Sequence, residues 1–172
     1  MTIAEFLALP NERDVELIEG EVRPRDKGLR AFHVSAHFPT KLSQYADAHN
    51  GYVFGGRGGY EFVTSSGESL WRTSVSYVEA SRMPLIPHDF TDLAPDIAVE
   101  VIGPYDRYVD VVAKVRLCLD HGVRSVWKVD PSTRTVEVIT AESRREFAVG
   151  DQLTDEAVLP GFECEVGRLF PA

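Results

Sequence analysis

Two charged residues sit where charge is costly. In Ala94-Pro95-Asp96-Ile97-Ala98-Val99-Glu100-Val101-Ile102-Gly103-Pro104 an apolar run is entered through Pro95 and closed by Gly103-Pro104, the pattern of a buried strand between breakers. Side chains alternate along a strand, so Ile97, Val99 and Val101 share one face, and Asp96, Ala98, Glu100 and Ile102 the other. Glu100 is therefore an acid inside an apolar strand, a position that demands a paired charge, hydrogen bonds or a bound cation. Downstream, Lys114 lies in a segment whose apolar residues Tyr108, Val111, Val112, Val115, Cys118 and Leu119 recur at helical spacing. Lys114 falls on the flank of that face, roughly 100° from its centre at 3.6 residues per turn. The sequence thus offers one acid on a core strand and one lysine on the adjoining helix. A plainer reading also fits: Glu100 as a buried acid paired with Lys114 or an arginine, and Lys114 as a solvated lysine.

Other candidates carry less. His33 and His37 are four apart on a helical segment, a spacing that can hold a metal, but no third ligand lies at a recognised spacing. The run Gly55-Gly56-Arg57-Gly58-Gly59 could bring backbone N–H groups and one arginine to a phosphate, or simply turn a hairpin. It is not a nucleotide-binding loop, because no Gly-Lys-Ser/Thr opens a helix after it.

The elements that must position these residues are legible. Asp106 is placed to cap a helix running to about His121, which Gly122 stops. Ser125-Val126-Trp127-Lys128-Val129 is then a second strand, parallel to the Glu100 strand through a right-handed crossover. At the start, Thr2-Ile3-Ala4-Glu5 is a capping box ahead of a short helix. Val15 to Ile18 and Glu21-Val22 flank Gly20 as a tight hairpin. Val34, Phe38, Leu42 and Tyr45 mark an amphipathic helix over 31–49 that Pro39 should kink or split. Strands follow at Tyr52-Val53-Phe54, at Tyr60 to Val63 and from Trp71 to Val78; residues 79–93 read as a long surface loop. Thr135 to Ile139 pairs back as a hairpin, another strand pair surrounds Phe147 and Leu153, and Leu159-Pro160-Gly161-Phe162 makes a turn. The predicted fold is mixed α and β with one central sheet.

Composition sets outer limits. The 172 residues read as one domain spanning 1–172, with no linker or charge block between halves. No basic start with a long apolar run marks a signal peptide, and no stretch is long enough to span a membrane. Cys118 and Cys164 are far apart, so a reducing cytoplasm is the expected location. A net charge of -9 argues against wide, non-specific coating of nucleic acid while leaving room for a small local cleft.

Several of these motifs occur together in one bacterial family. Glu16-Leu17-Ile18-Glu19-Gly20-Glu21-Val22, His33, Pro95-Asp96 before Glu100-Val101, Lys114, Gly122-Val123 before Trp127 and Asp130-Pro131, and Leu159-Pro160-Gly161-Phe162 stand in the order seen there. Over nearly its whole length the chain resembles the Uma-type endonucleases of the restriction-endonuclease-like PD-(D/E)xK superfamily. The resemblance implies an α/β (α+β) fold, a mixed central sheet flanked by helices, and Mg²⁺- or Mn²⁺-dependent hydrolysis of DNA phosphodiesters. In that chemistry carboxylates hold the ion, and a lysine balances charge on the phosphate. Glu100 then matches the acid and Lys114 the lysine, which in this family variant has moved from the strand position held here by Ile102 to the following helix.

One departure stands out. The family's earlier acid lies in a Pro-Asp pair after an arginine, and here that stretch is Arg72-Thr73-Ser74. A serine hydroxyl is a neutral, weak Mg²⁺ ligand, so the site is degraded and metal binding is expected to be weak. Asp96 and Glu61 are the candidates to replace the acid, although Asp96 sits about 13 Å from Glu100 along the strand. Two functions follow: a DNA endonuclease using Glu100, Lys114 and Asp96, with Glu100, Asp96 and Ser74 toward the metal, or a nuclease fold that no longer cuts and binds nucleic acid or a protein partner. Leu85, Ile86 and Phe90 fall in the 79–93 loop and are expected to be covered, either by the domain's own core or by a second copy in a two-fold homodimer, toward which the resemblance tilts the reading.

Overall fold

A computed structural model of the chain describes every residue except Asp26, Arg57, Pro171 and Ala172, and the side chain of Asp14. In chain order the strands and helices are α1 (Ile3–Leu7), β1 (Val15–Ile18), β2 (Glu21–Pro24), α2 (Gly28–Ser35), α3 (His37–His49), β3 (Gly51–Gly55), β4 (Gly59–Thr64), β5 (Gly67–Arg72), β6 (Val75–Glu79), β7 (Phe90–Thr91), β8 (Ile97–Val101), α4 (Tyr108–Asp120), β9 (Ser125–Asp130), β10 (Thr135–Ile139), β11 (Arg144–Ala148), β12 (Gln152–Asp155) and β13 (Leu159–Glu165). A mixed six-stranded sheet, ordered β11-β10-β9-β8-β6-β3, forms the centre. Beside it lies a five-stranded sheet, β2-β1-β5-β4-β7, and a separate β12-β13 hairpin.

The central strand does what its pattern requires. Every residue of β8 is buried, and its two faces feed two different cores. Ile97, Val99 and Val101 pack with Ala31 and Val34 of α2 and with Phe38, Leu42 and Ala46 of α3. Ala98 packs with Val115, Leu117 and Cys118 of α4, and with Tyr60, Phe62 and Trp71 of the second sheet. Helices thus cover both faces. The crossover is also as expected: β9 runs parallel to β8, with Glu100 beside Lys128. Gly122 ends α4 at φ +91°, a conformation strained for any residue with a Cβ.

Five expectations need correction. The run from Trp71 to Val78 is two strands in two sheets, broken at Thr73-Ser74. Thr73 Oγ donates to the Val99 carbonyl at 2.7 Å, and Ser74 N–H to the same oxygen at 3.0 Å, so the crossing is stitched to β8. Asp106 does not cap α4, whose N-cap is Arg107. Its carboxylate instead accepts from the Gly103 amide at 2.8 Å and pairs with Lys27 at 2.7 Å. This ties the loop after β8 to the start of α2; a Cβ on Gly103 would lie 2.8 Å from the Lys27 carbonyl. Phe147 and Leu153 belong to different sheets, because β11 pairs with β10, and Leu159 to Phe162 is strand, not turn. Finally, the 79–93 loop holds a helical turn at Ala80–Arg82 and the short strand β7.

The 31–49 helix does split, into α2 and α3. Pro39 falls in the first turn of α3, where its missing N–H has no helical partner to lose.

Candidate active site

Three residues far apart in sequence meet at the C-terminal end of β8. The Lys114 ammonium lies 3.0 and 2.9 Å from the two carboxylate oxygens of Glu16 and 3.2 Å from Oε2 of Glu100. All three side chains are buried, Glu100 at 4% exposure, Glu16 at 7% and Lys114 at 8%. The indole N–H of Trp71 donates to Oε1 of Glu100 at 3.1 Å, so both oxygens of that acid are oriented. Burial is the largest influence on Lys114 and acts to lower its pKa, but the charges of Glu100 and Glu16 outweigh it, and the net effect is upward. The ammonium therefore keeps its proton. Two carboxylates thus share one ammonium.

The second sheet delivers half of this arrangement. Glu16 sits in β1 between Val15 and the buried Leu17 and Ile18, and Leu17 pairs with Leu70 of β5. The next residue of β5 is Trp71, fixed by stacking on Phe62 of β4 with ring centroids 5.9 Å apart. On α4, the buried stripe is Lys114, Val115, Leu117 and Cys118, while Tyr108 and Val112 are exposed. The lysine thus belongs to the buried face itself, displaced from the flank because two acids compensate its charge.

Not every predicted residue joins the cluster. Asp96 is buried at the other end of the strand, where Oδ1 meets Arg82 at 2.7 Å and Arg124 at 3.3 Å. Its Oδ2 accepts from the Glu79 amide at 2.8 Å. Ser74 lies one residue before β6, and extending the β6–β8 register sets it opposite Glu100. Its hydroxyl accepts from the Val101 amide at 3.2 Å. Glu61 pairs with Leu70, between Tyr60 and Phe62 on β4, and so faces away from Trp71 and the cluster. His33 and His37 touch edge to face, with centroids 5.1 Å apart. Arg57 lies outside the described residues.

Glu16 was not singled out as a site residue from the sequence. The signal was present, since it repeats the Glu100 pattern of an acid inside a short apolar strand. Nothing in the sequence marks Trp71 as a donor to Glu100.

Glu16, Glu100 and Lys114 line a cavity of about 370 Å³ with Arg23, Lys27, Tyr105, Asp106, Arg107 and Asp110. Through Pro24, Lys27 and Val101 it adjoins a larger one of about 590 Å³ that includes Ser74. Among the described residues no group of three His, Cys, Asp or Glu is placed to hold a metal. Two carboxylates nevertheless fit an ion such as Mg²⁺, which commonly keeps several waters and takes one or two carboxylates plus substrate phosphate oxygens. Glu16 and Glu100 are the residues that would hold it, in competition with Lys114.

The chain matches the Uma2 family, described as "Putative restriction endonuclease", over residues 3–167. Among solved structures it is similar to a putative nuclease belonging to DUF820 from Anabaena variabilis, with a TM-score of 0.83 and 21% identity, covering 99% of this chain and 97% of that one. That likeness establishes the nuclease-type α+β fold. A search among curated proteins returned no match.

Proposed function

The chain belongs to the Uma2 family, and from that premise we propose that it is a divalent-metal-dependent endonuclease acting on DNA phosphodiesters, with a weak metal site. The observation that carries this reading is the convergence of Glu16, Glu100 and Lys114 on one cavity, two acids sharing one cation. A Mg²⁺ or Mn²⁺ ion held there would polarise the phosphate and activate a water. Glu100 is oriented for that task by Trp71, and Glu16 supplies the second carboxylate. Lys114 keeps its proton and stabilises charge developing on phosphate oxygens. Asp96 has both oxygens engaged by arginines and a backbone amide, so we assign it a structural part. Ser74, opposite Glu100, marks where a stronger site would place an acid.

The second reading, a fold that binds without cutting, draws support from Ser74 and from Lys114 occupying the position between the two acids. Incubating supercoiled plasmid with Mg²⁺ or Mn²⁺ separates the two. Cleavage that Glu100→Gln abolishes supports the nuclease; intact plasmid at high enzyme concentration supports the binding module. We also propose a homodimer, since Leu85 is 83% and Ile86 48% exposed, while Phe90 packs into the domain's own core. Light scattering showing a clean monomer at high concentration would remove it. No helix among the described residues is long and apolar enough to cross a membrane.

A further inference from the structure

The larger cavity differs in character from its neighbour. Of the described residues lining it, Arg13, Arg25 and Lys27 are cationic and none is acidic, in a chain whose net charge is -9. Arg13 shares Glu12 with the buried Arg72, so among the described residues one carboxylate serves two guanidinium groups. Lys27 is held by Asp106. Arg25 donates to the Gly56 carbonyl at 2.9 Å, which fixes its guanidinium at the glycine-rich turn. Arg25 is also near enough to Lys114 to oppose that residue's protonation. The same cavity is lined by Phe32, a ring 60% exposed on the face of α2 opposite the buried Ala31 and Val34.

We infer that this cavity is a subsite for an unpaired nucleic-acid strand, with a backbone phosphate at Arg13, Arg25 and Lys27 and a base stacked on Phe32. The inference rests on the hydrolytic reading above, because the strand would continue over Val101 into the cavity that holds Glu16 and Glu100. Cations track a phosphate backbone, and an exposed ring stacks on any unpaired base, whereas bases within a duplex are already stacked on one another. A volume of about 590 Å³ holds a nucleotide-sized segment.

The test is fluorescence anisotropy with a labelled oligothymidylate and a matched duplex, at low salt and in EDTA. The single strand should bind about tenfold or more tighter than the duplex, and Phe32→Ala should weaken it by about tenfold. Arg13→Ala should lower the slope of log affinity against log salt by about 0.7. Both positions are exposed, so the variants should fold, and circular dichroism checks this. Equal binding of duplex and strand, or no effect of Phe32→Ala, overturns the inference. Inorganic phosphate competing as well as the oligonucleotide would assign the cavity to a free anion and overturn it too. Because no divalent ion is present, the outcome is independent of cleavage. Plasmid cutting without strand preference removes this subsite alone, and strand binding without cutting removes the nuclease reading alone.

Discussion

The two ends of β8 make a controlled comparison. Each carries a buried acid on the same strand face, four residues apart, and each acid is ion-paired. At the N-terminal end, Asp96 meets two arginines and a backbone amide, so positive charge is in excess. At the C-terminal end, Glu100 shares one lysine with Glu16, so two acids divide one direct cation partner beside a cavity. A saturated acid holds the architecture, here tying the 79–93 loop to the strand. An undersaturated acid beside a cavity is the one available to a cation or substrate. Burial alone does not distinguish them; charge balance and access do.

The strongest way to break this comparison is to remove the shared cation. Lys114→Met should leave two uncompensated buried acids and cost about 3–5 kcal/mol, read from urea unfolding. A loss under about 1 kcal/mol would show that the ammonium is not the centre of the cluster. Next is Asp96→Asn, which should cost about 2 kcal/mol, because Arg82 and Arg124 are partly solvated and can rehydrate. That variant should leave divalent-metal binding unchanged; a lost metal response would return Asp96 to the site.

The alkaline limb sharpens the comparison further. The Lys114 pKa is raised in the fold, so its stabilising contribution is complete below the ordinary value of 10.5 and is lost as pH climbs through the higher folded value. Burial likewise pushes Tyr60 up to about 12 despite its hydrogen bond with Ser76, which adds a decline above pH 10.0 common to both proteins. Urea midpoints measured against pH should therefore fall more steeply above pH 10.5 for the natural chain than for Lys114→Met. Parallel curves would contradict the coupling. Trp71→Phe should cost about 1.5 kcal/mol or more, since a buried carboxylate loses a donor. Ser74→Asp should cost little if the half-buried position is wet, and Mg²⁺ should then raise its melting temperature more than that of the natural chain. Destabilisation that metal does not rescue would place Ser74 in the core.

Much of this was legible before the structure. The alternation Ile97, Val99, Val101 against Ala98 and Glu100 set both cores, because a strand allows two faces only. The helix carrying Lys114 and its parallel crossover followed from periodicity and Gly122. What was hidden depends on contacts distant in sequence. Thr73-Ser74 has no breaker, so the crossing between sheets could not be read locally; it exists because Val99 supplies the acceptor. Glu16 lies 98 positions from Lys114, and no pattern in either segment specifies that they meet. The Lys114 flank position was misread for the same reason, since only its two partners permit its burial.

The central claim is that Glu16 and Glu100 together form a divalent-ion site. A calorimetric titration of Mn²⁺ into the natural chain and into Glu100→Gln tests it most directly. The glutamine side chain is nearly isosteric with the acid it replaces and can accept from either Trp71 or Lys114 while one charge is removed, and circular dichroism checks that the variant is folded. Weak, saturable binding to the natural chain that Glu100→Gln eliminates is expected. No heat of binding in the natural chain, or an unchanged isotherm in the variant, would contradict it.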